Sequence, residues 1–371
     1  MENLNKDFYE KNVKSFNFFQ KIESFMKDLN FTVSEEKPIY NPDQQNAERN
    51  FSIKNLQDFF EKNNFIISNP MSIKLEKATT LFVSAGIQKL ENTIHKEDVF
   101  PETPLFINQP VLRSQFLGSK EIESYTSFHN ITTIDVNVSI SKHLDYFKKW
   151  IDFLLSSGFL KENFLLQIKE TNPKIGNIKY QNFVIKVFYG GLEIGDAVFI
   201  PEISQKTRPS FSISDIGFGV ERLEHDPKKI HSTETDCLKT LALLSISGIE
   251  PSNNNHGYRL RMFSKKLVSE CGLNYSKMSS FLAKASEMID MWLKYGYVGL
   301  ITKEEAGRVI AIECQRNFNR EILNFLKNTF NYLNEIDINQ ETLIFIKQLE
   351  DIGDMSKNFW LDIKKHLSIN F

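Results

Sequence analysis

The residue pattern of this chain changes character twice, and the order of these changes constrains its fold more than any other feature. Apolar residues recur at helical spacing in 5–29 and 53–63. After Pro70 the chain instead carries runs that are rich in β-branched and aromatic residues, as strands are. These runs are 79–83, 105–107, 130–140, 182–189 and 192–200. From about residue 221 the spacing is helical again. The sequence therefore predicts an α+β fold, with an antiparallel sheet of six or seven strands flanked by helices and followed by an all-helical C-terminal domain.

Length and polar segments divide the chain further. A length of 371 residues predicts two or three domains. A polar stretch with two prolines, residues 37–50, is typical of a linker. We expect an N-terminal helical extension and linker in 1–50, a strand-rich domain in 51–230 and a helical domain in 231–371.

Charge and cysteine content exclude several classes of protein. A net charge of −2 means that any nucleic acid would have to bind a local basic patch. The three cysteines form no C-x-x-C pair, and the histidines lack metal-ligand spacing, so the sequence predicts neither a zinc site nor a disulfide framework. No signal peptide and no apolar run of membrane-spanning length is apparent, so we expect a cytoplasmic protein with no membrane partner.

One segment carries a pattern suited to binding a nucleotide. It reads Asp215-Ile-Gly-Phe-Gly-Val-Glu-Arg222. Glycines let a backbone pass close to a ligand, and a helix that follows would offer its N-terminal amides to an anion. Arg222 in the first turn would add a planar cation suited to phosphate. A plain glycine-rich turn with a surface arginine is the alternative, and neither a P-loop nor a Rossmann motif is present.

Four segments in order resemble the alanyl-tRNA synthetase branch of the class II aminoacyl-tRNA synthetases. Residues 215–223 resemble its third signature motif. The segment TLFVSAGIQ at 80–88 resembles LLFTNAGMNQ, and NQPVLRS at 108–114 resembles SQRCVRA in the second motif. The segment SGIEPSNNNHGYRLR at 247–261 resembles ADGVMPSNENRGYVLRR. The resemblance implies a class II synthetase-type sheet and an enzyme that uses ATP and Mg²⁺ to form an aminoacyl adenylate.

The resemblance also implies roles for individual residues. Arg113 matches the arginine that binds the α-phosphate, and Arg222 matches the one that holds the far end of a bent ATP. Asp215 matches the carboxylate that pairs with the amino group of the amino acid, alanine in that family. The implied ATP-binding set is Arg113, Phe128, His129, Gly217, Gly219, Glu221 and Arg222.

Two segments depart from the family pattern. The family's RHHTFFEM appears as SFHNITT at 127–133, so Phe128, His129 or Thr133 would have to take over the recognition of adenine. The family's EIWNIVFMQ appears as EIGDAVFI at 193–200, so Asp196 replaces an asparagine and Gly195 a tryptophan. These changes would enlarge or recharge the amino acid pocket, whose implied members are Gly195, Asp196, Val198 and Asp215.

The helical domain carries a polar patch that the resemblance places beside an RNA acceptor stem. Asn side chains can reach base edges in the shallow RNA groove, and Lys and Arg neutralise phosphates. A solvated helix face is the alternative, and Lys357 stands where the family has an aspartate that reads the acceptor stem. The patch comprises Asn253, Asn255, Arg259, Arg261, Lys265 and Lys266.

Three functions remain open from the sequence. The first is a stand-alone alanyl-tRNA synthetase paralogue, without an editing domain, that activates alanine or another small amino acid and transfers it to tRNA. The second is a ligase that transfers the amino acid to a nucleoside, small metabolite or carrier. The third is a catalytically inactive module that binds RNA or a partner. The sequence does not predict the oligomeric state.

Overall fold

The computed structural model describes residues 17–45, 49–75, 80–96, 99–119, 125–175, 178–204, 209–227, 232–272 and 274–333. The chain divides into two compact units. The first consists of Met1–His231 with Lys294–Val298, and the second of Ser232–Leu293 with Gly299–Phe371.

An eight-stranded sheet forms the centre of the first unit. The strand order is β1-β5-β8-β9-β10-β4-β3-β2. Neighbouring strands are antiparallel except at the two edges, where β1 pairs with β5 and β2 with β3 in parallel. The strands are β1 (Thr32–Val33), β2 (Ile66–Ser68), β3 (Leu105–Leu112), β4 (Ser127–Val136), β5 (Phe164–Thr171), β8 (Asn182–Tyr189), β9 (Leu192–Ile203) and β10 (Phe211–Gly219), and a separate hairpin comprises β6 (Lys174–Ile175) and β7 (Ile178–Lys179).

Helices cover one face of this sheet. The described part of α1 spans 17–28, α2 spans Ile53–Lys62 and α4 spans Ile140–Ser156. The α4 helix begins where the Ser139 hydroxyl accepts the Lys142 amide at 3.2 Å, a standard N-cap. Its Trp150 ring lies 4.6 Å from that of Phe218 and 4.8 Å from that of Phe60, so aromatic side chains fill the space between helices and sheet.

The opposite face is only partly covered by apolar residues. A smaller cluster around Ile107, Ile134 and Ile213 packs against Leu90 and Ile94, next to and within the short helix α3 (Glu91–Lys96). Beyond this cluster the same face carries glycine and polar residues on β4, β9 and β10. Because alternate residues of a strand share a face, Asp215 and Gly217 of β10 lie there, while Ile216 and Phe218 join the large core.

The second unit is helical throughout its described residues. Its helices are α6 (Thr233–Ile246), α7 (Asn255–Cys271), α8 (Tyr275–Ala283), α9 (Ala285–Lys294) and α10 (Lys303–Leu333), with α5 (Val220–Leu223) belonging to the first unit. The predicted helix 275–294 is divided at Lys284 into α8 and α9. The predicted helices 340–350 and 356–367, like Lys357, lie outside the described residues. None of the described helices is both long enough and apolar enough to cross a membrane.

The predicted α+β class is confirmed, since a mixed sheet with flanking helices precedes a helical region. The predicted number of six or seven strands was too small. Two short parallel edge strands bring it to eight, and one of them, β1, comes from the segment expected to be an extension.

A buried histidine on α4 makes stability depend on pH. His143 is fully buried, its Nδ1 lies 2.7 Å from the Ser214 hydroxyl, and its Nε2 has no hydrogen-bond partner among the described residues. Burial lowers the pKa of His143 from 6.5 to about 3. The unfolded chain therefore binds one more proton than the folded chain between these values, and stability falls as pH decreases below 6.5.

We expect His143 to contribute a loss of about 1.5–2 kcal/mol between pH 6.5 and pH 5. Urea unfolding at both pH values, for the wild type and His143→Gln, measures it. The variant should lose less stability than the wild type over this interval, whereas His256→Gln in the second unit should follow the wild type. Parallel pH profiles of wild type and His143→Gln would contradict the expectation.

Candidate functional site

The two glycines of β10 leave room for side chains on the sheet face that apolar residues cover only in part. Gly217 pairs with Thr132 and Gly219 with Asn130 across to β4. A Cβ on Gly217 would lie 2.9 Å from Asn130 Nδ2, and one on Gly219 would lie 3.3 Å from Cδ of Arg222. A side chain at Gly217 or Gly219 would therefore have to displace the Asn130 or Arg222 side chain.

Arg222 follows β10 on the single-turn helix α5. Its guanidinium donates to the Glu193 carbonyl at 3.2 Å, and its Cζ lies 5.6 Å from the centroid of the Phe128 ring. A helix of four residues has little macrodipole, so the help that the sequence predicted from helix amides is small. Any phosphate binding here has to depend on side-chain cations.

Arg113 approaches the same aromatic ring from the end of β3. Its Nε donates to the Ser84 carbonyl at 3.1 Å, and its Cζ lies 4.9 Å from the centroid of Phe128. Burial, and then the charge of Arg222, lower the pKa of Arg113. An arginine stays protonated even so, because its pKa starts above 12. Two partly buried cations that repel one another make this position favourable for an anion.

Two carboxylates lie on the neighbouring part of the face. Asp215 accepts a hydrogen bond of 2.5 Å from the Thr132 hydroxyl, and burial, with the nearby charge of Asp196, raises the pKa of Asp215 to about 7. Asp196 pairs with Gly217 across to β10, so the two carboxylates occupy diagonal positions of adjacent strands.

Asp196 makes no hydrogen bond and no ion pair with the described residues around it. Burial raises its pKa, and so does the charge of Glu193, while Arg113 and Lys186 act in the opposite direction. Glu193 is itself bridged to Lys186, with 2.8 Å between Oε2 and Nζ. Asp196 accepts no hydrogen bond from the described residues, so its oxygens remain available to a ligand.

The segment 80–88 lies against β4, as its place among the resembling segments suggests. The Gly86 amide donates to Asn130 Oδ1 at 2.8 Å, and a Cβ on Gly86 would collide with the Thr132 side chain. The Gln88 side chain accepts the Ser84 amide at 2.6 Å, which fixes the turn that offers its carbonyl to Arg113.

Several residues near the site were missed by the sequence reasoning. Asn130, Thr132 and Ser84 make the contacts above, and Tyr180 lies close enough to Asp215 that burial and this carboxylate raise the pKa of Tyr180 to about 12. The alternation of β4 could have indicated Asn130 and Thr132, since both share a face with Phe128. Nothing in the sequence near Tyr180 indicates its proximity to Asp215.

His129 and Glu221 contact each other through two hydrogen bonds. Phe128 and His129 are successive residues of β4, so their side chains point to opposite faces. The buried His129 lies 3.0 Å from Glu221 Oε1 through Nδ1, and its amide donates to Oε2 at 2.9 Å. The pairing of β10 with β4 ends at Gly219, opposite Asn130. The Glu221 carboxylate then accepts the amide of His129, the next residue of β4.

The two other residues of the predicted amino acid pocket have different positions. Val198 pairs with Asp215 and packs against the smaller apolar cluster. Gly195 pairs with Phe218, and a Cβ there would collide with the Phe218 ring and with the Gly217 carbonyl. The glycine is therefore required by packing against β10, and its missing side chain does not enlarge the face that carries Asp196.

Half of the charged residues in the predicted RNA patch are paired within the second unit. Arg261 binds Asn253 and lies 3.3 Å from the buried Glu313 through Nε, and Lys266 is paired with Glu270. Arg259 donates to the Met262 sulfur at 3.5 Å, while Lys265 is exposed. Asn255 begins α7 in the left-handed region, at φ 50°.

No group of three or more His, Cys, Asp or Glu that could hold a metal ion occurs among the described residues. The cysteines Cys237, Cys271 and Cys314 are buried and reduced.

No protein-family model and no curated protein sequence matches this chain. Among solved structures it is similar to aspartyl tRNA synthetase from Entamoeba histolytica, with 12% identity and a TM-score of 0.31, over 45% of this chain and 52% of that one. It is also similar to PylSc, a pyrrolysyl tRNA synthetase from Desulfitobacterium hafniense, with 13% identity and a TM-score of 0.27, over 56% of this chain and 64% of that one. The chain thus spans about half of the first structure and less than two thirds of the second. The α+β assignment depends on the sheet topology described above and not on these two similarities.

Proposed function

We propose that the first unit activates an amino acid with ATP, giving an aminoacyl adenylate and pyrophosphate, in the manner of class II aminoacyl-tRNA synthetases. The observation that carries the proposal is the convergence of Arg113 and Arg222 on the Phe128 ring, beside the carboxylates Asp215 and Asp196. Cations suited to a triphosphate therefore adjoin anions suited to an ammonium group. The activated amino acid is alanine or another small amino acid.

The reaction needs positioned charges and no nucleophilic side chain. The amino acid carboxylate attacks the α-phosphorus, a new oxygen–phosphorus bond forms, and the bond to pyrophosphate breaks. Negative charge grows on the phosphoryl oxygens as this happens, and Arg113 offsets it in a partly buried site where such an interaction is strong. Arg222 holds the leaving end of the nucleotide. Holding both reactants in place supplies the rest of the acceleration.

Phe128 is the residue that we assign to the adenine base. A base stacked between a ring and a guanidinium needs about 7 Å between these two groups, twice the contact distance of carbon atoms. Phe128 and Arg222 are 5.6 Å apart, so Arg222 would move outward when the base binds. We assign His129 and Glu221 to support of this strand, because their mutual hydrogen bonds hold β4 where β10 ends.

Magnesium would be held chiefly by the phosphates of the nucleotide. The described residues offer no group of three ligands, and Glu193 is bridged to Lys186. In nucleotide sites Mg²⁺ is usually coordinated by phosphate oxygens and water, with one or two carboxylates in addition. Bound there, it would neutralise the charge of the departing pyrophosphate.

The pair Asp196 and Asp215 is assigned to the amino group of the amino acid. Replacing Asp196 with Asn should raise the KM for the amino acid about tenfold, because one charge-assisted hydrogen bond is lost. The KM for ATP should change little. The measurement is amino-acid-dependent ATP–pyrophosphate exchange, with Glu202→Gln, an exposed carboxylate of the same strand, as control. An unchanged KM for every amino acid in Asp196→Asn would remove Asp196 from the site.

The acceptor is proposed to be tRNA, with a small molecule or carrier as the second candidate. The exposed Lys265 and the partly exposed Arg259 on α7 support the first candidate, whereas the pairing of Arg261 and Lys266 favours the second. Incubation of the protein with ATP, the activated amino acid in radiolabelled form and total tRNA decides between them. Label that precipitates with the tRNA supports the first, and exchange activity without such label refutes it. Absence of exchange as well would favour an inactive module that binds RNA or a partner.

A further inference from the structure

The segment before α2 crosses the turn between β8 and β9. Gly190 and Gly191 form this turn with φ values of 52° and 82°. A Cβ on Gly191 would collide with the Ile39 carbonyl, so the segment lies directly on the glycine backbone. The Asn41 amide donates to the Gly190 carbonyl at 2.9 Å, and the Gln45 side chain donates to the Tyr189 carbonyl at 2.5 Å. We call the described residues 39–45 and 49 the N-terminal arm.

Arg49 of the N-terminal arm is held on three sides. Its Cζ lies 5.0 Å from the centroid of the Phe159 ring and 5.1 Å from that of Tyr189. One terminal nitrogen donates to the Gln45 carbonyl at 2.6 Å and to the Gln45 side-chain oxygen at 2.9 Å. Burial lowers its pKa, yet an arginine remains charged. Such a fixed planar cation loses little freedom when it binds a further acceptor.

That further acceptor is the last carbonyl of α5. The other terminal nitrogen of Arg49 donates to the Leu223 carbonyl at 2.8 Å. A helix of four residues has few hydrogen bonds of its own, here from the Glu224 amide to the Val220 carbonyl at 2.8 Å and from the His225 amide to the Arg222 carbonyl at 3.3 Å. The last carbonyls of a helix have no partner within the helix, so a charged donor there satisfies one of them. The Tyr40 hydroxyl, 2.9 Å from His225 Nε2, adds a second link just beyond the helix.

Arg222 is attached to the same turn from the other side. It precedes Leu223 in the chain and donates to the Glu193 carbonyl at the beginning of β9, directly after the turn that the arm crosses. The helix α5, which bears Arg222, is thus held between the beginning of β9 and the N-terminal arm.

We propose that Arg49 is a positioning residue for Arg222, so that the N-terminal arm sets the ATP affinity of the site. The kinetic test of this proposal rests on the proposed function, because it measures pyrophosphate exchange. Arg49→Met, which keeps a long side chain without its charge and donors, should raise the KM for ATP about tenfold in pyrophosphate exchange while the KM for the amino acid stays within about twofold. Arg49→Lys keeps the charge but not the planar fork, and should be intermediate.

Hydrogen–deuterium exchange tests the same link without any activity. In Arg49→Met the amides of Glu224 and His225 should exchange several-fold faster than in the wild type. Lys161→Met is the matched control, because Lys161 also lies over a ring, 5.4 Å from the centroid of Phe31, with no contact to α5 among the described residues. Tyr40→Phe, which removes one hydrogen bond, provides a milder variant should Arg49→Met fail to fold, and it should speed exchange at His225.

The two proposals fail in different ways. Unchanged amide exchange in folded Arg49 and Tyr40 variants would overturn the positioning role, as would an unchanged KM for ATP in an active Arg49→Met protein. A wild type that shows no pyrophosphate exchange would overturn the proposed function, and faster amide exchange in the Arg49 variant would still support the link between the arm and α5.

Discussion

Replacing Arg222 with alanine is expected to lower amino-acid-dependent ATP–pyrophosphate exchange about 100- to 1000-fold, the usual loss when one charged donor is removed from a developing negative charge. The guanidinium lies over Phe128 and beside Arg113, so its removal takes away one of the two cations that meet at this ring. Exchange rates at saturating amino acid, measured against ATP concentration, give the effect on kcat and KM.

Two further variants show whether the loss is specific. Arg222→Lys retains the charge without the planar fork and should recover only part of the activity. Arg316→Ala removes an arginine of the second unit that is half exposed and 3.6 Å from Glu313, and it should leave exchange unchanged. Activity within about threefold of wild type in a folded Arg222→Ala protein would mean that the ATP site has been misplaced.

Asp215→Asn is expected to stabilise the protein at alkaline pH and to weaken its binding of the amino acid. The folded-state pKa of Asp215 is raised from 3.8 to about 7, mainly by burial. A raised pKa contributes stability below the unfolded value, and that contribution is lost as pH rises through the folded value. At pH 8 the wild type holds an ionised, partly buried carboxylate, which costs it about 2 kcal/mol after allowance for its contact with solvent.

Asparagine keeps the acceptor for the Thr132 hydroxyl and removes the charge. Urea unfolding at pH 5 and pH 8 should therefore show a gap in favour of the variant that widens with pH, while the KM for the amino acid rises at least about tenfold, because the ammonium group has lost one of its two carboxylate partners. A variant that is equally stable or less stable than the wild type at pH 8 would contradict the burial of this carboxylate.

The sequence predicted the class of the fold but missed elements that depend on distant partners. The run 130–140 reads as one strand, yet β4 ends at Val136 and Ser139 caps α4. The α4 helix was missed, although its buried residues Leu144, Phe147, Trp150 and Ile151 recur at helical spacing. The strand β10 was not among the predicted strand runs, and only its end was recognised, within the motif 215–222, since Ser, Asp and Gly interrupt its alternation. These residues are tolerated because β4 and β9 pair with it on both sides.

The candidate site was predictable to the extent that it follows local motifs. Arg113, Arg222 and Asp215 came from short segments, and the structure brings them together with Phe128 and Asp196. The face on which His129 lies depends on the register between β4 and its neighbours, which no local pattern shows. Arg49 lies 174 residues before its acceptor Leu223, so only the folded chain reveals that contact.

The most direct measurement is ATP–pyrophosphate exchange by the purified wild-type chain with each of the twenty amino acids. We predict that alanine or another small amino acid supports exchange, that the others support little, and that Arg113→Ala abolishes it while the protein stays folded. Exchange with none of the twenty, from a folded protein in the presence of ATP and Mg²⁺, would contradict the assignment of an amino acid-activating site.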